Sequence, residues 1–148
     1  MSDRYVREWR PEDAGAFADF PVDPTQVPAP AWTALVREAP VACAGLWIIR
    51  PGLGEAWAIL RQPVEHGIWI AREMRRRIDA MLGNGDLRRV QMTVRVGAIR
   101  PERLALFLGM LQEGCLRAFG DEGADHWMYA KTKPSRRSQR RDGHGRWR

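Results

Sequence analysis

The residues best placed to do chemistry lie in "LRQPVEHGIWIAREM", residues 60–74. The stretch reads as a strand end, a tight loop and a helix start. The first N–H groups of a helix lack partners within it and carry the positive end of its dipole, so such a loop is a ready anion site. Gly67 lets a phosphate approach the backbone. Glu65, two residues earlier, brings a negative charge to the same place. At ~4 Å two like charges repel by about 1 kcal/mol in water, and by about 4 kcal/mol at an effective dielectric of about 20. His66 stands between them and could act as a general base or touch a phosphate; its plainer reading is a solvated histidine. His126 reads as outward-facing on a strand, and His144 has no visible partner. Cys43 and Cys115 sit in apolar contexts and read as buried thiols, with neither metal spacing nor a disulfide framework.

Elements that must position these residues follow from period and punctuation. "RYVREW" (4–9) alternates as a strand, and "RPEDAGAFADF" has a proline and acids suited to a helix start. Four prolines in residues 21–31 make a loop. "WTALVRE" (32–38), "VACAGLWIIR" (41–50) and "EAWAILR" (55–61) read as three strands joined by short turns, which favours antiparallel pairing. A helix spans 65–82, with Ile68, Ala71, Met74, Ile78, Met81 and Leu82 on one face. Trp69 lies about 100° from Ile68 around that helix, off the apolar stripe, so it is a candidate partner contact. Arg72, Arg75, Arg76 and Arg77 lie mostly off the stripe too. A strand over 88–96, a helix from Arg100, and strands over 112–119 and 125–132 complete a β-α-loop-β-β-β-α-β-α-β-β order.

The 148 residues suffice for one domain, and 45% hydrophobic with 28% charged is a globular composition. No apolar run approaches the roughly 20 residues of a membrane helix, and no secretory signal is visible, so synthesis in a reducing cytoplasm is expected. The net charge of +6 belongs to the end of the chain. Residues 131–148 hold eight Lys/Arg against one Asp, whereas residues 1–130 hold sixteen Arg against seventeen Asp/Glu. Residues 134–148 cannot bury a core and read as a basic tail, disordered or docked on a partner. Arg136, Arg137, Arg140 and Arg141 there, with Arg72 and Arg76, suit nucleic acid or an acidic subunit; Trp147 is an apolar anchor.

"YVREWRPEDAGAF", "EAWAILRQP" and "LGMLQEGCLR", in this order and spacing, resemble the GNAT superfamily of N-acetyltransferases across residues 4–133. The resemblance implies an α/β fold: a mixed, mostly antiparallel central sheet flanked by helices. It also implies acetyl-CoA between the splayed fourth and fifth strands, with its pyrophosphate on a Q/R-x-x-G-x-G/A loop. That pattern falls on Gln62 and Gly67, with Glu65 in place of the first glycine. Glu55 falls where the family often places a carboxylate base working through water. Ala98 replaces a frequent Asn, Ala105 a Tyr that protonates the leaving thiolate, and Met110 the Phe of a Leu-Gly-Phe turn.

Element order and composition lead to the expectation of one GNAT-like domain, residues 1–133, with a basic tail, residues 134–148, and the departures favour loss of chemistry in it. A resemblance to small GNAT-like proteins of tailed phages implies a catalytically degenerate structural protein, made in a bacterial host. It would be docked on other subunits of a virion, without cofactor, metal or membrane contact. One rival is an acetyl-CoA-dependent N-acetyltransferase using Glu55, Gln62 and Gly67. The other is a nucleic-acid accessory protein acting through the tail.

Overall fold

The computed structural model describes residues 3–133. The tail, with Arg136, Arg137, Arg140, Arg141 and Trp147, lies outside the described residues. Seven strands form one sheet in the order β1-β2-β3-β4-β5-β7-β6. They are β1 (Arg4–Glu8), β2 (Ala31–Val36), β3 (Ala39–Arg50), β4 (Gly52–Leu60), β5 (Leu87–Arg95), β6 (Leu111–Leu116) and β7 (His126–Thr132). Two helices, α1 (Gly67–Gly83) and α2 (Ile99–Phe107), cross between β4 and β5 and between β5 and β6. Every strand pair is antiparallel except β4 with β5.

Tight turns make the antiparallel half. Arg37 and Glu38 between β2 and β3 both take positive φ, 50° and 65°, the geometry whose twist matches that of paired strands. Gly52 turns β3 into β4 at φ 84°. A Cβ there would also meet the Arg88 guanidinium at 2.7 Å, and that guanidinium donates to the Pro51 carbonyl at 3.2 Å.

α1 buries Ile70, Ile78 and Leu82, with Met74 and Met81 partly covered. Ile70, Met74, Ile78 and Leu82 form an i, i+4, i+8, i+12 row, which corrects the expected stripe. Ile68 stands about 200° round the axis from Ile70 and is 68% exposed. α1 and α2 share one core with β3, β5 and β7, built on Leu46, Val90, Val94, Leu108, Met110 and Tyr129. A smaller cluster of Ala34, Ala42 and Ile70 lies under the first turns of α1, and Trp69 packs against it.

The segment after β1 differs from its reading as an α-helix. Pro11–Ala16 is a 3-10 turn, with backbone bonds such as Asp13 N–H to the Arg10 carbonyl at 2.9 Å reinforced by side chains. Asp13, 6% exposed, accepts two bonds from Arg7 at 2.8 and 2.7 Å. It also accepts from the Thr33 hydroxyl at 2.6 Å and the Arg10 backbone N–H at 3.0 Å. This pins the start of the long loop to the face of the sheet opposite α1.

Of the two cysteines, Cys43 is buried and Cys115 is exposed, because β6 is an edge strand. Burial pushes the Cys43 thiol up to about 12, so at neutral pH it is protonated and inert. His126 is half-buried against Phe119, with Nδ1 enclosed and unpartnered, rather than turned outward.

Candidate functional site

The β4–β5 ladder runs only from Gly52 opposite Leu87 to Glu55 opposite Gln91. Past that point β4 continues paired with β3, and β5 continues paired with β7. Beyond Glu55 alternate residues of β4 bond to β3, as the Arg61 N–H does to the Val41 carbonyl at 2.9 Å, so Ala56, Ala58 and Leu60 present their backbone N–H and C=O groups toward a gap. Such an edge bonds an extended amide-bearing ligand as a strand would.

One face of the gap belongs to α1. Its N-cap, His66, is left-handed at φ 59° and supplies no side-chain cap, so the first-turn N–H groups remain open to an anion. A depression of about 380 Å³ at this end is lined by Arg4, His66, Gly67, Ile68, Trp69 and Arg72. The Arg4 guanidinium lies 5.6 Å over the Trp69 ring. Glu65 lines a different depression, of about 430 Å³, together with Arg37 and Arg61. Arg4 and His66 line both depressions, so the acid that looks misplaced in sequence shares its surroundings with three arginines. Gln62 is exposed and lines neither depression.

The opposite face carries Glu55. Strand alternation sends residues 55, 57 and 59 away from α1, while Ala56 and Leu60 pack under it. A cleft of about 580 Å³ opens there between β3–β4 and the loop of residues 20–28. Its aromatic walls are Trp47, Trp57 and Phe20, and Glu55 is the one charged residue lining it among the described residues. Phe20 is stacked on Trp9 with ring centres 5.2 Å apart. Trp57 lies across Gly45, where a Cβ would stand 2.8 Å from the indole and 2.7 Å from the Pro30 carbonyl. Gly45→Ala is therefore expected to displace Trp57 and destabilise the fold by about 1–3 kcal/mol. Urea unfolding checks this; unchanged stability would mean that the wall yields freely.

Behind Glu55 stands an ordered polar chain. The Gln91 amide Nε2 donates to Glu55 at 3.4 Å, and its Oε1 accepts from Arg89 at 2.9 Å. Arg89 also donates to both Glu113 oxygens, at 3.0 and 2.6 Å, and this holds the Glu113 carboxyl below its usual range. Arginine has no acceptor, so the Gln91 oxygen must face it and the amide NH₂ must face Glu55. Arg89 spends its charge on Glu113, and Glu55 meets only a neutral amide.

The structure thus brings Glu55 to the cleft on one face, and Gly67, Trp69 and Arg72 to the α1 terminus on the other. Arg76 sits further along α1, paired with Glu73 at 2.9 Å. Ala98 caps α2, and Ala105 is 0% exposed within the main core. A tyrosine at that position would overpack it. Phe20, Trp9 and Gln91 were not legible as site residues, because the loop and the β4–β5 register bring them there. Among the described residues, no three His, Cys, Asp or Glu side chains group as metal ligands, and no helix is long and apolar enough to cross a membrane.

Solved structures share this fold. A GNAT-family acetyltransferase from Bacillus anthracis superposes with a TM-score of 0.72 at 14% identity, covering 89% of this chain and 96% of its own. The ribosomal-protein-S5-alanine acetyltransferase of Vibrio fischeri gives 0.72 at 12% identity, covering 90% and 94%. RimL, a ribosomal L7/L12 alpha-N-protein acetyltransferase solved in complex with coenzyme A, gives 0.71 at 13% identity, covering 89% and 95%. No family model matches the sequence, and no curated protein matches it. The fold is GNAT-like: a seven-stranded, mostly antiparallel sheet with flanking helices.

Proposed function

We propose that this chain is an acetyl-CoA-dependent N-acetyltransferase in which Glu55 takes the proton from the acceptor amine. The observation that carries the reading is the early end of the β4–β5 ladder at Glu55. It leaves an open backbone edge with an uncapped helix start on one side and a carboxylate-bearing cleft on the other. GNAT-fold neighbours described as acetyltransferases, one of them holding coenzyme A, support it.

The residues present fit the cofactor. The edge of residues 56–60 matches the amide groups of a pantetheine arm, and the N–H groups from Gly67 onward, with Arg4 and Arg72, match its phosphates. Acetyl-CoA supplies the acetyl group as a thioester: a C–N bond to the amine forms, the C–S bond breaks, and free thiol leaves. Glu55 accepts the proton that the amine must lose, directly or through one water. Gln91 orients Glu55 without neutralising it. Ala105 offers no proton to the thiolate, and of the two tyrosines in the chain, Tyr5 bonds Glu38 and Tyr129 lies in the core. Among the described residues no tyrosine is assigned to the leaving thiolate, which would take its proton from solvent.

The second reading is a non-catalytic GNAT-fold interaction protein, such as a virion component. The closed packing at Ala105 and the Trp69 indole at the phosphate end favour it. Acetyl-CoA titration by calorimetry, followed by a thiol-release assay with primary amines, decides between the two. Saturable binding near 1 μM, about −8 kcal/mol, with amine-dependent thiol release is expected. No binding heat and no thiol release would move the chain to the second reading.

A further inference from the structure

The cleft over Glu55 carries information about what enters it. Trp47 is 55% exposed, Val22 48% and Ile49 47%, and all three line this concavity. Large apolar side chains left wet in a concave site mark a place for an apolar ligand. The volume of about 580 Å³ suits a small molecule, in the general range of about 300–1,000 Å³ for ligand pockets.

Charge narrows the class. Among the described residues Glu55 is the one charged residue that lines it, and Arg89 behind it is committed to Glu113. One carboxylate in an apolar, aromatic surround favours one cation, and indole faces add attraction for an ammonium. A polyamine would leave its further charges against apolar walls. The loop wall also argues against an extended peptide. Pro21 and Pro28 line the cleft and have no N–H to offer a peptide backbone.

The walls are held before any ligand arrives. Phe20 rests on Trp9, and Trp57 rests on Gly45. A preordered wall loses little entropy when a rigid ring binds.

We propose that the cleft selects a small primary amine with an aromatic body, its ammonium at Glu55 and its ring against Trp47 and Trp57. The inference deepens the acetyl-transfer reading and rests on it for the fate of the amine, but binding can be measured without acetyl-CoA.

The test is calorimetric titration of the full chain with four probes: phenethylamine, phenethyl alcohol, spermidine and an alanine tetrapeptide with a free N-terminus. Phenethylamine is expected to bind at least about tenfold more tightly than each of the others, the gain of one desolvated charge or ring contact. Glu55→Gln should bring phenethylamine to the level of the alcohol. Trp47→Ala, at an exposed position, should weaken both by a similar factor while the melting curve stays cooperative. Equal binding of amine and alcohol, or tighter binding of spermidine or the tetrapeptide, overturns the proposal. So does an unchanged affinity in Trp47→Ala. Thiol release with the tetrapeptide or spermidine but not phenethylamine overturns the amine class and leaves acetyl transfer standing. Tight phenethylamine binding without any acetyl-CoA binding does the reverse.

Discussion

Glu55→Gln is expected to lower kcat for acetyl transfer by roughly 10²–10⁴-fold, the usual contribution of a positioned general base. An amine enters as its ammonium and has no lone pair to attack with until a proton leaves. Glutamine keeps the shape and the contact with Gln91 but cannot accept that proton. KM for acetyl-CoA should stay within about threefold, because the open edge of β4 and the start of α1 are untouched. Stability should change little, since the one hydrogen bond to the Glu55 side chain, from Gln91, is 3.4 Å long. Steady-state thiol release with both substrates varied gives kcat and KM, and urea unfolding gives the stability. A kcat within about threefold of the parent would remove Glu55 from the chemistry.

The second large effect is on folding. Asp13→Ala is expected to cost about 3 kcal/mol at pH 7, because it leaves Arg7 and the fully buried Thr33 hydroxyl without their shared acceptor. Burial alone would raise the Asp13 carboxyl. The bonds from Arg7, Thr33 and the Arg10 N–H outweigh burial and hold it below its ordinary value. The sign of the pH dependence follows. A carboxyl depressed in the folded state contributes its full stability above its unfolded value, about 3.9, and loses it as pH falls through the folded value. The difference between parent and variant should therefore be flat from pH 7 to about 5 and shrink below about 4. Urea unfolding at several pH values measures it. A gap under about 1 kcal/mol, or one that persists undiminished in acid, would show that the cluster does not anchor the turn. The variant also bears on function. Asp13 holds the turn that leads into the loop of residues 20–28, so its loss should raise KM for the amine more than for acetyl-CoA.

Period, turns and punctuation in the chain by itself determined the strands, the two long helices, the antiparallel meander and the GNAT-like order. Those features rest on local chemistry: alternation for a half-buried strand, helical spacing for α1, glycine and proline at the turns. Gly67 at a helix start and Glu55 in the fourth strand were legible for the same reason. Other features turned on contacts between residues far apart in the chain. The apolar face of α1 shifted from Ile68 to Ile70, because where the helix leaves its loop decides which row meets the sheet. The segment after β1 became a 3-10 turn because Arg7 and Thr33 claimed Asp13, giving its carboxylate stronger partners than a helix dipole. Cys115 lay exposed because strand order, which composition does not encode, put β6 at an edge. Glu65 beside Gly67 looked like a spoiled phosphate cradle when only separation along the chain was counted. In the folded chain Glu65 lines a depression with Arg37 and Arg61, and Gly67 lines one with Arg72, Arg4 and His66 being common to both, so the acid lies among arginines that separation along the chain did not show. Trp47 and Trp57 could be read from the sequence as lining a ligand slot, but the cleft's shape could not, because its walls come from β3, β4 and the proline-rich loop. Only the tertiary fold brings their aromatic side chains around one carboxylate.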